Sequence, residues 1–113
     1  MLTIYQGNDK DFVIFRKTMG GKDIKTQPLK MWFTVKSKIN EDLILFQKEI
    51  GNGITQNSDG SWNIRIDADD TKNFKITDDK LVLVCDIKII NEQGEGKTIA
   101  KPQDFVVLPV VTL

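Results

Sequence analysis

The stretch WNIRID, residues 62–67, alternates without a fault: Trp62, Ile64 and Ile66 fall on one side, Asn63, Arg65 and Asp67 on the other. Successive side chains that point to opposite faces make a strand, and one apolar face makes that strand half-buried in a sheet. Just upstream, SDGS (58–61) reads as a hairpin turn in which Gly60 supplies positive φ. Just downstream stand Asp67, Asp69 and Asp70, and ADDTKNF (68–74) reads as one helical turn with Asp67 or Asp69 as its N-cap. Phe74 is the residue such a turn would tuck into the core.

The same period runs through the rest of the chain. MWFTVK (31–36) puts Met31, Phe33 and Val35 together and leaves Trp32, Thr34 and Lys36 opposite. LVLVCDIKII (81–90) gathers Leu83, Cys85, Ile87 and Ile89 on one face, with Asp86 and Lys88 on the other. DFVIFRK (11–17) is a strand whose inward side the sequence leaves open, because Phe12 to Phe15 are apolar throughout. Shorter strands are expected at LTIYQ, LILFQKE, GITQ and DFVVLPVV, with Pro109 marking an edge or the end of pairing. Turn signals at TMGGKD (18–23), GNG (51–53) and NEQGEGK (91–97) separate them, and no amphipathic stretch of helical length appears. These features predict an all-β antiparallel sandwich of about seven or eight short strands in one domain, residues 1–113.

Composition narrows the chemistry. A chain of 113 residues forms one core that buries roughly two-thirds of its unfolded surface. Lysine plus arginine and aspartate plus glutamate both total 16, so no net charge draws the chain to nucleic acid or anionic lipid. The N-terminus does not read as a signal peptide, and no run approaches the 18 or so apolar residues of a membrane span. Cys85 is the sole cysteine and lies in an apolar run, as a core thiol does in a reducing cytoplasm. There is no histidine, which removes the commonest general base and metal ligand.

The remaining candidate sites favour structural readings. Asp67, Asp69, Thr71 and Asp78 fall at positions 1, 3, 5 and 12 of a calcium-loop count, but Lys72 stands where the loop needs glycine and no glutamate closes it. Capping is the preferred reading, and no metal is expected. Lys22, Lys25 and Lys30 read as a solvated loop, and GNG and GEG lack the helix and Gly-Lys-Ser/Thr of a phosphate cradle. Cys85 has neither a base nor an electropositive neighbourhood to make it a nucleophile. No enzyme activity and no cofactor are expected. A carbohydrate-binding module is the rival from another class; it needs exposed aromatic residues in a row, for which Trp32, Tyr5 and Trp62 are available.

In order and spacing, these motifs resemble a known domain. IYQGNDKDFVIFR looks like a "QGD…F…" opening, PLKMWFTVKSK like a second strand ending in "FTVK", and FQKEIGNGIT and GSWNIRIDADDT follow in turn. LVLVCDIKIINEQGEGKTIAKPQDFVVLPVVT is similar to a strand with "Y-D-I", a loop, and a closing "G-x-F-x-V-x-P-x-V-T". The pattern, from Ile4 to Thr112, resembles the immunoglobulin-like sandwich domain of tail and baseplate proteins of phages and prophages of Gram-positive bacteria, similar to the N-terminal domain of baseplate upper proteins. Cys85 replaces the family's usual aromatic residue, and Pro102–Gln103 replaces a glycine-containing pair. The resemblance implies a non-enzymatic structural or adaptor module of the virion, made in the bacterial host cytoplasm. Its partners would be other tail or baseplate proteins or further copies of itself, without nucleic acid or membrane. Expected contact residues are Thr3, Tyr5 and Gln6 of the first strand, Trp32, and Val106 and Val110 of the last, with edge-strand addition as the mode.

Overall fold

A computed structural model describes residues 1–112. Its elements are β1 (Leu2–Tyr5), β2 (Lys10–Ile14), β3 (Arg16–Lys17), β4 (Asp23–Ile24), β5 (Lys30–Lys36), β6 (Ile44–Ile50), β7 (Gly53–Gln56), β8 (Trp62–Ile66), α1 (Ala68–Thr71), β9 (Leu81–Ile90) and β10 (Gly96–Leu108). Eight strands are hydrogen-bonded in the order β1-β10-β9-β5-β6-β7-β8-β2, and β3 and β4 form a separate ribbon. Among the described residues no helix is long and apolar enough to cross a membrane.

That order cannot lie flat. β1 and β2 occupy its two ends, yet only residues 6–9 join them. The five Cα–Cα steps from Tyr5 to Lys10 reach at most about 18 Å, whereas the edges of a flat eight-stranded sheet stand seven spacings, about 34 Å, apart. The sheet therefore folds over into a β-sandwich, with a layer of β7, β8 and β2 facing a layer of β6, β5, β9, β10 and β1. Phe12 of β2 meets Phe33 of β5 edge-on across the interior, with centroids 5.3 Å apart.

The apolar phases of the strands supply the core. Trp62, Ile64 and Ile66 of β8 and Ile54 of β7 pack with Met31, Phe33 and Val35 of β5 and with Leu83, Cys85, Ile87 and Ile89 of β9. Phe105 and Val107 of β10 and Ile4 of β1 complete it. β2 turns Phe12 and Ile14 inward and exposes Asp11 and Val13, which settles the side the sequence left open. Phe74 lies half-buried against Phe46, as the helical-turn reading requires.

Three features differ from the sequence-based expectation: DFVIFRK divides at Phe15, so that Arg16–Lys17 belong to the β3–β4 ribbon, and two more concern β10 and Lys30. β10 begins at Gly96, so KTIAKPQ belongs to a strand of 13 residues. Its first half hid because it packs on the core only through Ala100 and breaks register on both sides of that residue. Lys30 is the first residue of β5 instead of part of a loop, and its amine lies 5.8 Å from the Trp32 ring centroid.

Between β6 and β7 the chain steps from one layer to the other in two residues. The pairs Glu49–Gly53 and Ile50–Ile54 are parallel and only four residues apart. A true parallel strand pair needs a crossover of a dozen or more residues, so this is a tight corner. Gly51 and Gly53 both have positive φ there, 86° and 96°. A Cβ on Gly53 would stand 2.5 Å from Cδ of Lys48, whereas one on Gly51 meets nothing within 4 Å. Gly51→Ala is therefore expected to cost about 1–2 kcal/mol from backbone strain alone. Gly53→Ala should cost about 1–3 kcal/mol more from the crowding of Lys48. The difference between the two urea midpoints measures that crowding.

Candidate functional site

The carboxylates after β8 are committed to an internal network. Arg65 ties one of them, Asp67 at 3.2 Å, to two carboxylates from the start of the chain, Asp9 at 3.0 Å and Asp11 at 2.9 Å. Lys48, whose stem is buried behind the β6–β7 corner, brings its amine to Asp67 at 3.2 Å and Asp70 at 2.7 Å. Asp67 is the N-cap of α1, and the Asp70 carboxylate accepts its backbone N–H at 2.7 Å. Asp69 pairs with Lys72, and the buried Thr71 hydroxyl accepts the Gly7 amide at 2.9 Å. Among the described residues no group of three or more His, Cys, Asp or Glu side chains is placed to hold a metal ion.

The residues expected to make contact divide. Gln6 is buried, and its Nε2 donates to the carbonyls of Thr71, Lys72 and Phe74, the last at 2.6 Å. It is a structural strut. Thr3 and Val106, in contrast, stand side by side through the parallel β1–β10 register, and Val106 in turn pairs with Val82 of β9. Because Ile4, Leu83, Phe105 and Val107 point inward, Thr3, Val106 and Val82 form a row on the outer face. Val106, at the middle of this row, is only 6% exposed although it lies outside the core cluster. Tyr5 pairs with Leu108 on the same face and is 54% exposed; Val82 is 46% exposed. Sequence reasoning missed Val82, although the phase of LVLVCDIKII places it outward with Asp86 and Lys88. Val110 follows the end of β10 and is half-buried.

The edge beside this face is guarded. The Gln6 amide donates to Leu108 O at 2.8 Å, so by strand alternation Thr3 and Tyr5 turn their peptide groups outward. The Thr3 carbonyl accepts the Lys10 amine at 2.7 Å, and the Tyr5 carbonyl accepts the Asn8 amide at 3.2 Å. A lysine and a turn closing over an edge are devices that discourage another chain from pairing. β10 itself lies between β1 and β9 at Phe105–Val107, so the last strand presents no edge there. The contact surface offered by Thr3, Tyr5 and Val106 is a side-chain face.

Trp32 projects from the outer face of β5, opposite Glu49 and Lys88. Lys88 lies six residues along β9 from Val82, about 20 Å, so Trp32 and the Tyr5 face are separate. Trp62 is 1% exposed in the core. The three aromatic residues that a sugar-stacking row would use are thus not assembled. Burial pushes the Cys85 thiol up to about 11, and Asp86 reinforces it, which leaves the thiol protonated and a poor nucleophile at neutral pH.

No family model matches the chain, and no curated protein matches it significantly. Among solved structures, the chain is similar to the crystal structure of CopC from Methylosinus trichosporium OB3b. The identity is 13%, the match covers 77% of this chain and 70% of that one, and the TM-score is 0.40. A likeness of that size says nothing of this chain's ligand or role.

The ion-pair network gives a pH signature. The hydrogen bond from Lys48, joined by Arg65 and opposed by desolvation, holds Asp67 below its ordinary value of 3.8. Its stabilising contribution is present above that value and is lost as pH falls through the lowered pKa. For Lys48, desolvation works downward but is outweighed by Asp70 and Asp67, so its pKa rises above 10.5. That contribution persists through neutral pH and is lost only as pH climbs past the raised value. The melting temperature is expected to hold from pH 7 down to about 4 and then fall. Asp67→Asn should lower the plateau and shrink the acid loss, as thermal melts across pH 2–7 will read.

Proposed function

We propose that this chain is a non-enzymatic structural or adaptor module of a phage or prophage tail or baseplate, acting through protein–protein contacts. The motif order described above supports the setting. The observation that carries the mode of action is the outer face of β1, β10 and β9. Tyr5 and Val82 stand exposed around a covered Val106, beside an edge whose carbonyls are already occupied. Exposed apolar side chains on a sheet face, here Tyr5 and Val82 beside Val106, suit docking against another protein better than turnover of a small molecule.

Particles purified from an induced culture of the source strain should contain this chain in stoichiometric amount by mass spectrometry. Tyr5→Asp and Val82→Asp change exposed side chains and should leave the far-ultraviolet circular dichroism unchanged. Each should lower incorporation by about tenfold or more, the effect of charging the centre of an apolar contact. Absence from particles, with the protein abundant in the lysate, overturns the proposal.

A further inference from the structure

β10 is 13 residues long, but β1 covers its outer flank only at Phe105–Leu108. Over Gly96–Asp104 the strand is paired on one side alone, with β9. Beside Lys97 and Ile99 the surface opens into a groove of about 540 Å³, whose far wall is the β3–β4 ribbon. The groove's apolar lining comes from Phe15, Met19 and Ile24 of that wall and from Ile89 and Ile99. Phe15 is 48% exposed, Ile99 is 38% exposed, and Met19 is fully exposed.

The charge of the groove is one-sided. Arg16, Lys17 and Lys97 line it and no carboxylate does, in a chain whose charges balance 16 to 16. Arg16 is held by Glu92 at 3.0 Å and Lys17 by Asp23 at 2.7 Å, both carboxylates outside the lining. Among the described residues Lys97 has no ion-pair partner within 4 Å. Further along, Lys101 and Pro102 guard the strand, since proline has no N–H to offer and the register breaks around Ala100. The open run is therefore Gly96–Ala100.

We propose that an extended segment of a partner protein, with apolar side chains alternating with carboxylates, docks as an added strand along Gly96–Ala100. An unpaired strand flank is satisfied by another extended backbone about 4.8 Å away. The groove offers such a segment both an apolar lining for its apolar side chains and unbalanced positive charge for its carboxylates. Thr98 and Val106 are eight residues apart, about 25 Å, so this surface is distinct from the Tyr5 face. The proposal deepens the adaptor reading, and rests on it in taking a protein as the partner: an adaptor needs two places to hold.

The test is an amide-resolved NMR titration of the full chain with the capped heptapeptide Val-Glu-Val-Glu-Val-Glu-Val. Two comparison peptides are used, one with lysine for glutamate and one N-methylated at alternate residues in each phase. Saturable shifts confined to residues 15–24 and 96–100 are expected. The lysine peptide should bind about tenfold more weakly or worse, and one phase of N-methylation should abolish binding. Lys97→Glu, at an exposed position, should weaken the acidic peptide about tenfold and strengthen the lysine one. Equal binding of both charge forms, indifference to N-methylation, or no saturable shift at 96–100 overturns the proposal. These outcomes do not depend on whether the chain is found in particles, so the two readings fail separately.

Discussion

The four residues between β1 and β2 hold both ends of the sandwich together. Gln6 caps the C-terminal carbonyls of the single helical turn, Gly7 donates to its Thr71 hydroxyl, and Asp9 accepts the Ala68 amide at its N-terminus with an Oδ1 distance of 2.7 Å. The helical turn is thus clamped at both ends by the link that closes the fold. A four-residue α1 has no stability of its own, because helix nucleation costs more than one turn returns. It persists because its orphan amides and carbonyls find partners in the link. In exchange, the link is held at the length that keeps the two sheet edges close.

A second layer of order comes from one buried lysine. Lys48 lies in β6 in register with Phe33, so its stem points inward among apolar neighbours. The glycine corner lets that stem pass, and the amine emerges where Asp67 and Asp70 wait. A buried cation is tolerated when its charge is fully met, and here two carboxylates from the end of β8 and from α1 meet it. The acidic run after WNIRID is therefore the counter-charge to β6, and Arg65 extends the same network to Asp9 in the link.

Much of this was legible in the sequence, and the limits are physical. The phases of WNIRID, MWFTVK and LVLVCDIKII named the inward residues of three strands correctly, because burial on one face imposes a period of two. Pro109 follows the end of β10, as its missing donor requires. The first half of β10 escaped because a strand paired on one side and mostly exposed carries little periodicity. The role of Gln6 was invisible since its acceptors lie more than 60 residues away. The candidate face was half legible: Thr3, Tyr5 and Val106 were singled out, but their meeting depends on a parallel register between residues 103 positions apart. Val82 needed only the phase of its own strand to be followed outward.

That register also sets a clock. β1 is synthesised 103 residues ahead of the ladder partner beside which it lies, β10. At ribosomal rates of about 5–20 residues per second, the first strand waits about 5–20 s before Phe105–Leu108 exist to receive it. During that interval Leu2 and Ile4, later part of or packed against the core, have no sheet to join. The lysine and the turn that occupy the carbonyls of Thr3 and Tyr5 lie within the next few residues, so the guard of this edge is encoded long before its neighbour.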